Sequence, residues 1–106
     1  MSSNAFIQVA QGTSARRAFN AAVRQALYDH GHNGYTGTIA EKSEEGFVIF
    51  PFPKGKRKGT SRITLASFHA DQLLETEESI GSKYDPAGCI EIAKGRTYLF
   101  FGHAQN

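Results

Sequence analysis

Five positively charged side chains are concentrated near the middle of this 106-residue chain. They are Lys54, Lys56, Arg57, Lys58 and Arg62, and they lie within nine residues of one another. The formal net charge of the whole chain is +2, and subtracting these five cations leaves −3 for the remainder. Flexible cations that stand close to hydroxyl groups and backbone amides can contact phosphate oxygens. The segment 53–62 therefore predicts binding of an acidic partner, either nucleic acid or an acidic patch on another protein.

The spacing of glycines and lysines in this segment does not match a phosphate loop that hydrolyses nucleotides. Residues 55–59 read Gly-Lys-Arg-Lys-Gly, whereas a Walker A loop requires four residues between its glycines and a Lys-Ser or Lys-Thr pair after the second. The segment thus predicts binding without hydrolysis. The alternative is a solvated loop that only keeps a neighbouring edge strand soluble.

A second candidate site is the polar, glycine-rich turn 29–37. Its imidazoles could bind a metal ion or transfer protons, and its glycines would let backbone amides approach a ligand. A mononuclear metal site would need a further ligand from elsewhere, such as His69, His103 or Asp85. In the alternative interpretation the turn only ends a helix, with His30 at the negative end of the helix dipole. The residues of this alternative site are Asp29, His30, His32, Tyr35 and His103.

Cys89 is the only cysteine of the chain, so an internal disulfide cannot form. It lies in a strand-like run with no histidine in a recognisable local motif. We interpret it as a small buried core residue and not as a nucleophile. The sequence therefore assigns no catalytic residue, and it predicts neither a metal ion nor a cofactor.

The elements that must position these groups begin with an amphipathic helix. Small and apolar side chains recur at i, i+3, i+4 and i+7 from Ala15 to Leu27, while arginine and amide side chains occupy the other face. Thr13 or Ser14 can cap the start of the helix, and Gly31 suits the left-handed residue that follows its end. This pattern predicts one long helix whose alanine-rich face packs closely against a sheet.

Short runs of β-branched and aromatic residues predict the strands of that sheet. Two pairs of runs are joined by polar turns, which is typical of hairpins. We expect the first hairpin to pair 35–42 with 47–52 and the second to pair 88–93 with 97–102. The remaining strands are expected at 5–10 and 62–68.

Together these elements predict an α+β fold in a single domain over residues 1–106. One long amphipathic helix packs on a mainly antiparallel sheet of about four to six strands, with a short second helix near 70–80. The apolar run Tyr98–Phe101 fits either a central strand covered on both faces or an edge hidden by a partner, so a homodimer is an open alternative.

No signal peptide is recognisable at the N-terminus, and the longest apolar run, 47–52, is far too short to cross a bilayer. With a single cysteine, these features favour a reducing compartment. We therefore expect a cytoplasmic protein that does not contact a membrane.

Three segments resemble parts of small uncharacterised proteins encoded by bacteriophages and their bacterial hosts. They read GYTGTIAEK at 34–42, DPAGCI at 85–90 and LFFGHA at 99–104, and together they cover about a fifth of the chain. The resemblance implies a phage origin, a location in the host cytoplasm and action by binding a host target more than by catalysis. It transfers no catalytic residue.

These observations favour a non-enzymatic binding module that presents segment 53–62 to an acidic partner. Two alternatives stay open. One is a small enzyme or ligand-binding protein whose site is the 29–37 turn, and the other is a protein inhibitor or structural subunit that acts through a sheet edge.

Overall fold

The computed structural model describes residues 3–31, 36–53 and 61–105. Its strands are β1 (Ser3–Gln11), β2 (Phe47–Phe50), β3 (Ala87–Ala93) and β4 (Thr97–Gln105). Its α-helices are α1 (Ala15–His30) and α2 (Arg62–Thr76), and two 3-10 helices span Ile39–Lys42 and Glu78–Ile80. Neither helix of these ranges is long and apolar enough to cross a membrane.

The four strands form one sheet in the order β1-β4-β3-β2. Strand β4 pairs antiparallel with both β1 and β3, whereas β2 pairs parallel with β3. The expectation of an α+β fold with a mainly antiparallel sheet is therefore confirmed. The parallel pair exists because the chain passes through α2 between β2 and β3, and parallel neighbours need such a crossover.

Strand β4 is a central strand that is buried on both faces. Tyr98 and Phe100 belong to the core on one face of the sheet, and Leu99 and Phe101 belong to the core on the other. Successive side chains of a strand point to opposite faces, so a strand covered on both sides is continuously apolar. The run Tyr98–Phe101 thus forms the centre of the sheet and offers no edge to a second copy.

Helix α1 covers one face of the sheet, where the sequence predicts it. The Ser14 hydroxyl accepts a hydrogen bond from the Arg17 backbone N–H, and Gly31, at φ 82°, ends the helix. Ala18 and Ala22 are buried, which lets the helix backbone approach the sheet closely. The Phe19 ring fills the space between α1 and the sheet, 5.0 Å from the Phe47 centroid and 5.5 Å from the Phe100 centroid.

Helix α2 covers the opposite face, and it corrects two predictions at once. The part of the chain that the structure describes has two α-helices of similar length, 16 and 15 residues, and not one long helix. The segment 62–68, expected to be a strand, is the first half of α2. The residues that α2 buries are Ala66 and Ala70, four apart as on a helix face, whereas Ile63 is exposed. The alternation of Ile63 and Leu65 therefore does not indicate the buried face of a strand.

The short helix expected near 70–80 is the second half of α2 together with the 3-10 helix Glu78–Ile80. Ile80 is fully buried and joins the core beneath α2. The prediction was right about helical structure here, but it placed the start of the helix about two turns too late.

The strand expected at 35–42 is wrong for its described part, which forms a cap and a 3-10 helix. The Thr38 hydroxyl accepts a hydrogen bond from the Ala40 N–H, and the Glu41 carboxylate accepts from both the N–H and the hydroxyl of Thr36. The side chains of Thr38 and Glu41 here satisfy local backbone N–H groups, which competes with strand pairing. The hairpin of 35–42 with 47–52 is therefore absent, and β2 pairs with β3 instead.

The strand predicted at 5–10 is confirmed as β1. The predicted hairpin of 88–93 with 97–102 is confirmed as β3 with β4. The turn of this hairpin contains Gly95 at φ 72°, a conformation that suits glycine. The Arg96 N–H donates to the Ala93 carbonyl across the turn at 2.9 Å.

Candidate functional site

The start of α2 contains the one predicted cation that falls within the described residues, Arg62. The other four, Lys54, Lys56, Arg57 and Lys58, lie outside the described residues. Pro53 and Ser61 are the last described residue before these cations and the first one after them. The geometry of the candidate site therefore rests on the residues that flank 54–60.

Arg62 is exposed, yet its guanidinium group has two fixed neighbours. Its Nε donates a hydrogen bond to the Ile92 carbonyl at 2.7 Å, and its Cζ lies 3.9 Å from the centroid of the Phe52 ring. The first contact ties the start of α2 to the end of β3. The second joins Phe52, which directly precedes segment 53–62, to Arg62, the last residue of that segment, so the two ends of the segment are held close together.

The N-terminus of α2 lies at the end of segment 53–62. Ser61 caps the helix, because its hydroxyl accepts from the Thr64 N–H at 3.2 Å and its carbonyl accepts from the Leu65 N–H at 3.1 Å. A helix N-terminus carries a partial positive charge. The charge of Arg62 and the helix dipole therefore have the same sign at this position.

An open groove of about 410 Å³ runs along the outer side of α2. Phe68 is the most prominent residue at this groove, with 60% of its side chain exposed. Pro53 also lines it, which places one end of the basic segment at the groove wall. The complete lining is Pro53, Leu65, Phe68, His69, Asp71 and Gln72.

The residues of the alternative site at 29–37 are not brought together where they are described. Asp29 is exposed and accepts a hydrogen bond from Gln25 Nε2 at 3.0 Å, and His30 is exposed at the end of α1. His103 belongs to the opposite face of the sheet, where its Nε2 lies 3.0 Å from the Leu74 carbonyl oxygen of α2. His32 and Tyr35 lie outside the described residues. Among the residues that are described, no group of three or more His, Cys, Asp or Glu side chains could hold a metal ion.

Cys89 is fully buried beneath α1, as the sequence predicts for a core residue. Burial raises the pKa of its thiol to about 12, and the nearby Glu91 carboxylate acts in the same direction. The side chain is therefore a protonated thiol at neutral pH, whereas nucleophilic attack requires the thiolate.

Lys42 is a buried charged residue that sequence reasoning missed. Its side chain is fully buried, and its Nζ donates hydrogen bonds to the carbonyls of Lys83 and Asp85 at 3.0 and 2.6 Å. Burial lowers the pKa of Lys42, although the carboxylates of Glu45, Asp85 and Glu41 oppose this shift. The ammonium group donates to backbone carbonyls, so Lys42 fastens the turn before β3 to the 3-10 helix.

Comparison of the chain with protein-family models, curated proteins and solved structures found no match. The function proposed below therefore rests on the residues and geometry of this chain.

Proposed function

We propose that this protein is a non-enzymatic binding module that engages a polyanion, with nucleic acid as the first candidate, through the cations of segment 53–62. The observation that carries the proposal is the uneven charge of the chain. Five of its 12 lysines and arginines lie within nine residues, although the net charge of the whole chain is only +2. Local positive charge of this kind attracts an acidic partner and orients it towards one place on the surface.

The contacts of Arg62 support this proposal. The guanidinium group is held by a backbone carbonyl and an aromatic ring, neither of which is a carboxylate. These contacts fix its position without neutralising its charge, and the α2 dipole adds to the positive potential. A phosphate group near Ser61 would then meet both the cations of the segment and the positive end of a helix.

The groove beside Phe68 favours nucleic acid over an acidic protein surface. An exposed aromatic ring can stack on a base, and Pro53 places the end of the basic segment at the same groove. A phage origin and action in the host cytoplasm belong to this proposal, because the host nucleic acids are polyanions present there at high concentration.

The test is a triple variant, Lys56→Gln, Arg57→Gln and Lys58→Gln, assayed for retention of single-stranded and duplex oligonucleotides at several salt concentrations. If all five cations contact phosphates, the logarithm of the binding constant should fall with the logarithm of the salt concentration with a slope of about −4. The variant should bind more weakly, and its slope should be about −2 because two cations remain.

A matched control removes the same amount of charge elsewhere, with Arg17→Gln, Arg24→Gln and Lys94→Gln. These three side chains are exposed on α1 and on the hairpin turn, so the fold should tolerate their loss. We expect the control to keep the slope of the parent. Equal affinities and equal slopes for the parent and the variant at 56–58 would refute the proposed function.

A further inference from the structure

Strand β1 is an open edge of the sheet with unusual composition. Within the described ranges it pairs with β4 on one side, and the order of the sheet leaves its other side without a strand. Its nine residues read SNAFIQVAQ and include no charged residue and no proline. Natural proteins commonly protect an edge strand with lysine, proline or a bulge, because unpaired backbone N–H and C=O groups can pair with another strand.

The other edge of the sheet is different in these respects. Strand β2 has four residues, and Pro51 follows it directly. A short strand next to proline is a poor template for further pairing. The two edges therefore differ in length and in the chemical protection that they carry.

One face of β1 also carries an apolar strip that α2 covers only in part. Ile7 and Val9 pair with Phe101 and Leu99, whose side chains pack under α2, so they point to the α2 side of the sheet. Ile7 is nevertheless 40% exposed and Val9 41% exposed, and Ala5 beside them is also exposed. Helix α2 packs mainly on β3 and β4 and covers this strip only in part.

We propose that two copies of this chain associate through their β1 strands, which pair antiparallel and join the two sheets into one of eight strands. A two-fold axis at Ile7 places this residue opposite its own copy and places Ala5 opposite Val9. The exposed strips of both copies then form one apolar band between the two α2 helices. Cross-strand apolar pairs of this kind stabilise a sheet.

A second copy suits this edge because β1 carries no charged side chain that its own copy would repel. Antiparallel pairing of a strand with itself places identical or symmetric positions opposite each other, so a charged residue on the axis would oppose its own charge. Strand β1 has none, and the net charge of +2 per chain produces only weak repulsion between copies. This association does not depend on the polyanion-binding function.

The test compares the oligomeric state of the parent with that of Ile7→Lys/Val9→Lys, by light scattering coupled to size exclusion over a range of concentrations. We expect the parent to have the mass of two chains and the variant to have the mass of one. Both side chains are already partly exposed, so the lysines should leave the monomer folded, which circular dichroism verifies. The matched control is Ile49→Lys on the β2 edge, which is 53% exposed and should leave the dimer intact.

A cross-link gives an independent measurement of the register. Under mild oxidation Ile7→Cys should form a disulfide between two chains, because opposite Cβ atoms of an antiparallel pair lie about 5 Å apart. Val48→Cys on the other edge should not. A parent that is monomeric at every concentration, or a dimer that survives Ile7→Lys/Val9→Lys, would overturn the inference.

Discussion

The side chain of Lys42 holds the turn before β3 in position. It donates to two backbone carbonyls, those of Lys83 and Asp85, and it is fully buried. In the unfolded chain water donates hydrogen bonds to these carbonyls. A carbonyl that is buried on folding and has no donor therefore lowers the free energy of unfolding. Lys42→Met keeps most of the apolar stem and removes the donor. We expect it to lower the free energy of unfolding by about 2 kcal/mol in a urea titration.

The stability of the parent should also depend on Lys42 ionisation. Burial lowers the pKa of this residue from 10.5, so between the lowered value and 10.5 the folded chain binds fewer protons than the unfolded chain. The free energy of unfolding contributed by this group therefore rises with pH in that range. The difference in stability between the parent and Lys42→Met should grow as pH approaches 10.5. A constant difference would contradict the role of burial.

Cys89 should have the opposite dependence on pH. Burial raises its pKa from 9.0 to about 12, so from pH 9 upward the unfolded chain releases this proton more readily than the folded chain. Stability contributed by the thiol is then lost as pH rises from 9 towards 12. Cys89→Ala should be less stable at pH 7 because of its smaller side chain, but it should lose less stability over this alkaline range.

Thiol alkylation provides the direct measurement. The folded parent should react with iodoacetamide far more slowly than the same protein in denaturant, because Cys89 is buried and protonated. Rapid labelling of the folded protein at neutral pH would show that the thiol is accessible, contrary to its position beneath α1.

At the scale of elements, the start of α2 depends on Arg62 in two separable ways. Under the proposed function its charge contributes to polyanion binding, and its Nε bond to Ile92 and its contact with Phe52 hold the ends of segment 53–62. Lysine keeps the charge and lacks the planar guanidinium group that makes both contacts. We expect Arg62→Lys to lower thermal stability modestly, by about 1 kcal/mol, and to keep the salt slope of the parent.

The matched variant for this test is Arg62→Gln, which removes the charge as well. It should lose the same stability and also lower the magnitude of the salt slope by about one. If Arg62→Lys left the melting temperature unchanged, the contacts with Ile92 and Phe52 would have no role in fixing the segment.

Elements with local signals could be predicted from the sequence, and elements that depend on distant partners could not. Helix α1 has both a cap residue and a complete apolar face, and the hairpin of β3 and β4 has a short turn with glycine. The first half of α2 was mistaken for a strand because its buried residue is Ala66, whereas the larger Ile63 and Phe68 are exposed. The parallel pairing of β2 with β3 joins segments about 40 residues apart, and no local pattern encodes it.

The candidate site divides in the same way. The concentration of cations is a property of the printed sequence, and so is its contrast with the rest of the chain. The contact between Phe52 and Arg62 and the groove at Phe68 require the fold, because they bring together residues of α2 and of the chain after β2. Lys42 was missed because one lysine in a polar segment carries no sign of burial.

At the scale of the whole molecule, charge is divided along α2. The cations precede this helix or stand at its start, whereas Glu75, Glu77 and Glu78 lie at its C-terminal end and just after it. Under the proposed function, a polyanion would be attracted to the first end and repelled from the second. In the dimer proposed here each chain would contribute one such end, and a long polyanion that reached both would bind with higher avidity.

The pairing of β1 with β4 has a consequence for how the chain is made. Ser3 lies opposite Gln105, so β1 can pair only after β4, which is synthesised later, has emerged from the ribosome. Strand β3 depends on the same partner. While the ribosome is still translating residues before 97, α1 can form, but the sheet lacks its middle. A nascent chain that stops there exposes the apolar faces that β4 would cover. Chaperones would bind it, or proteases would cleave it, before it could fold.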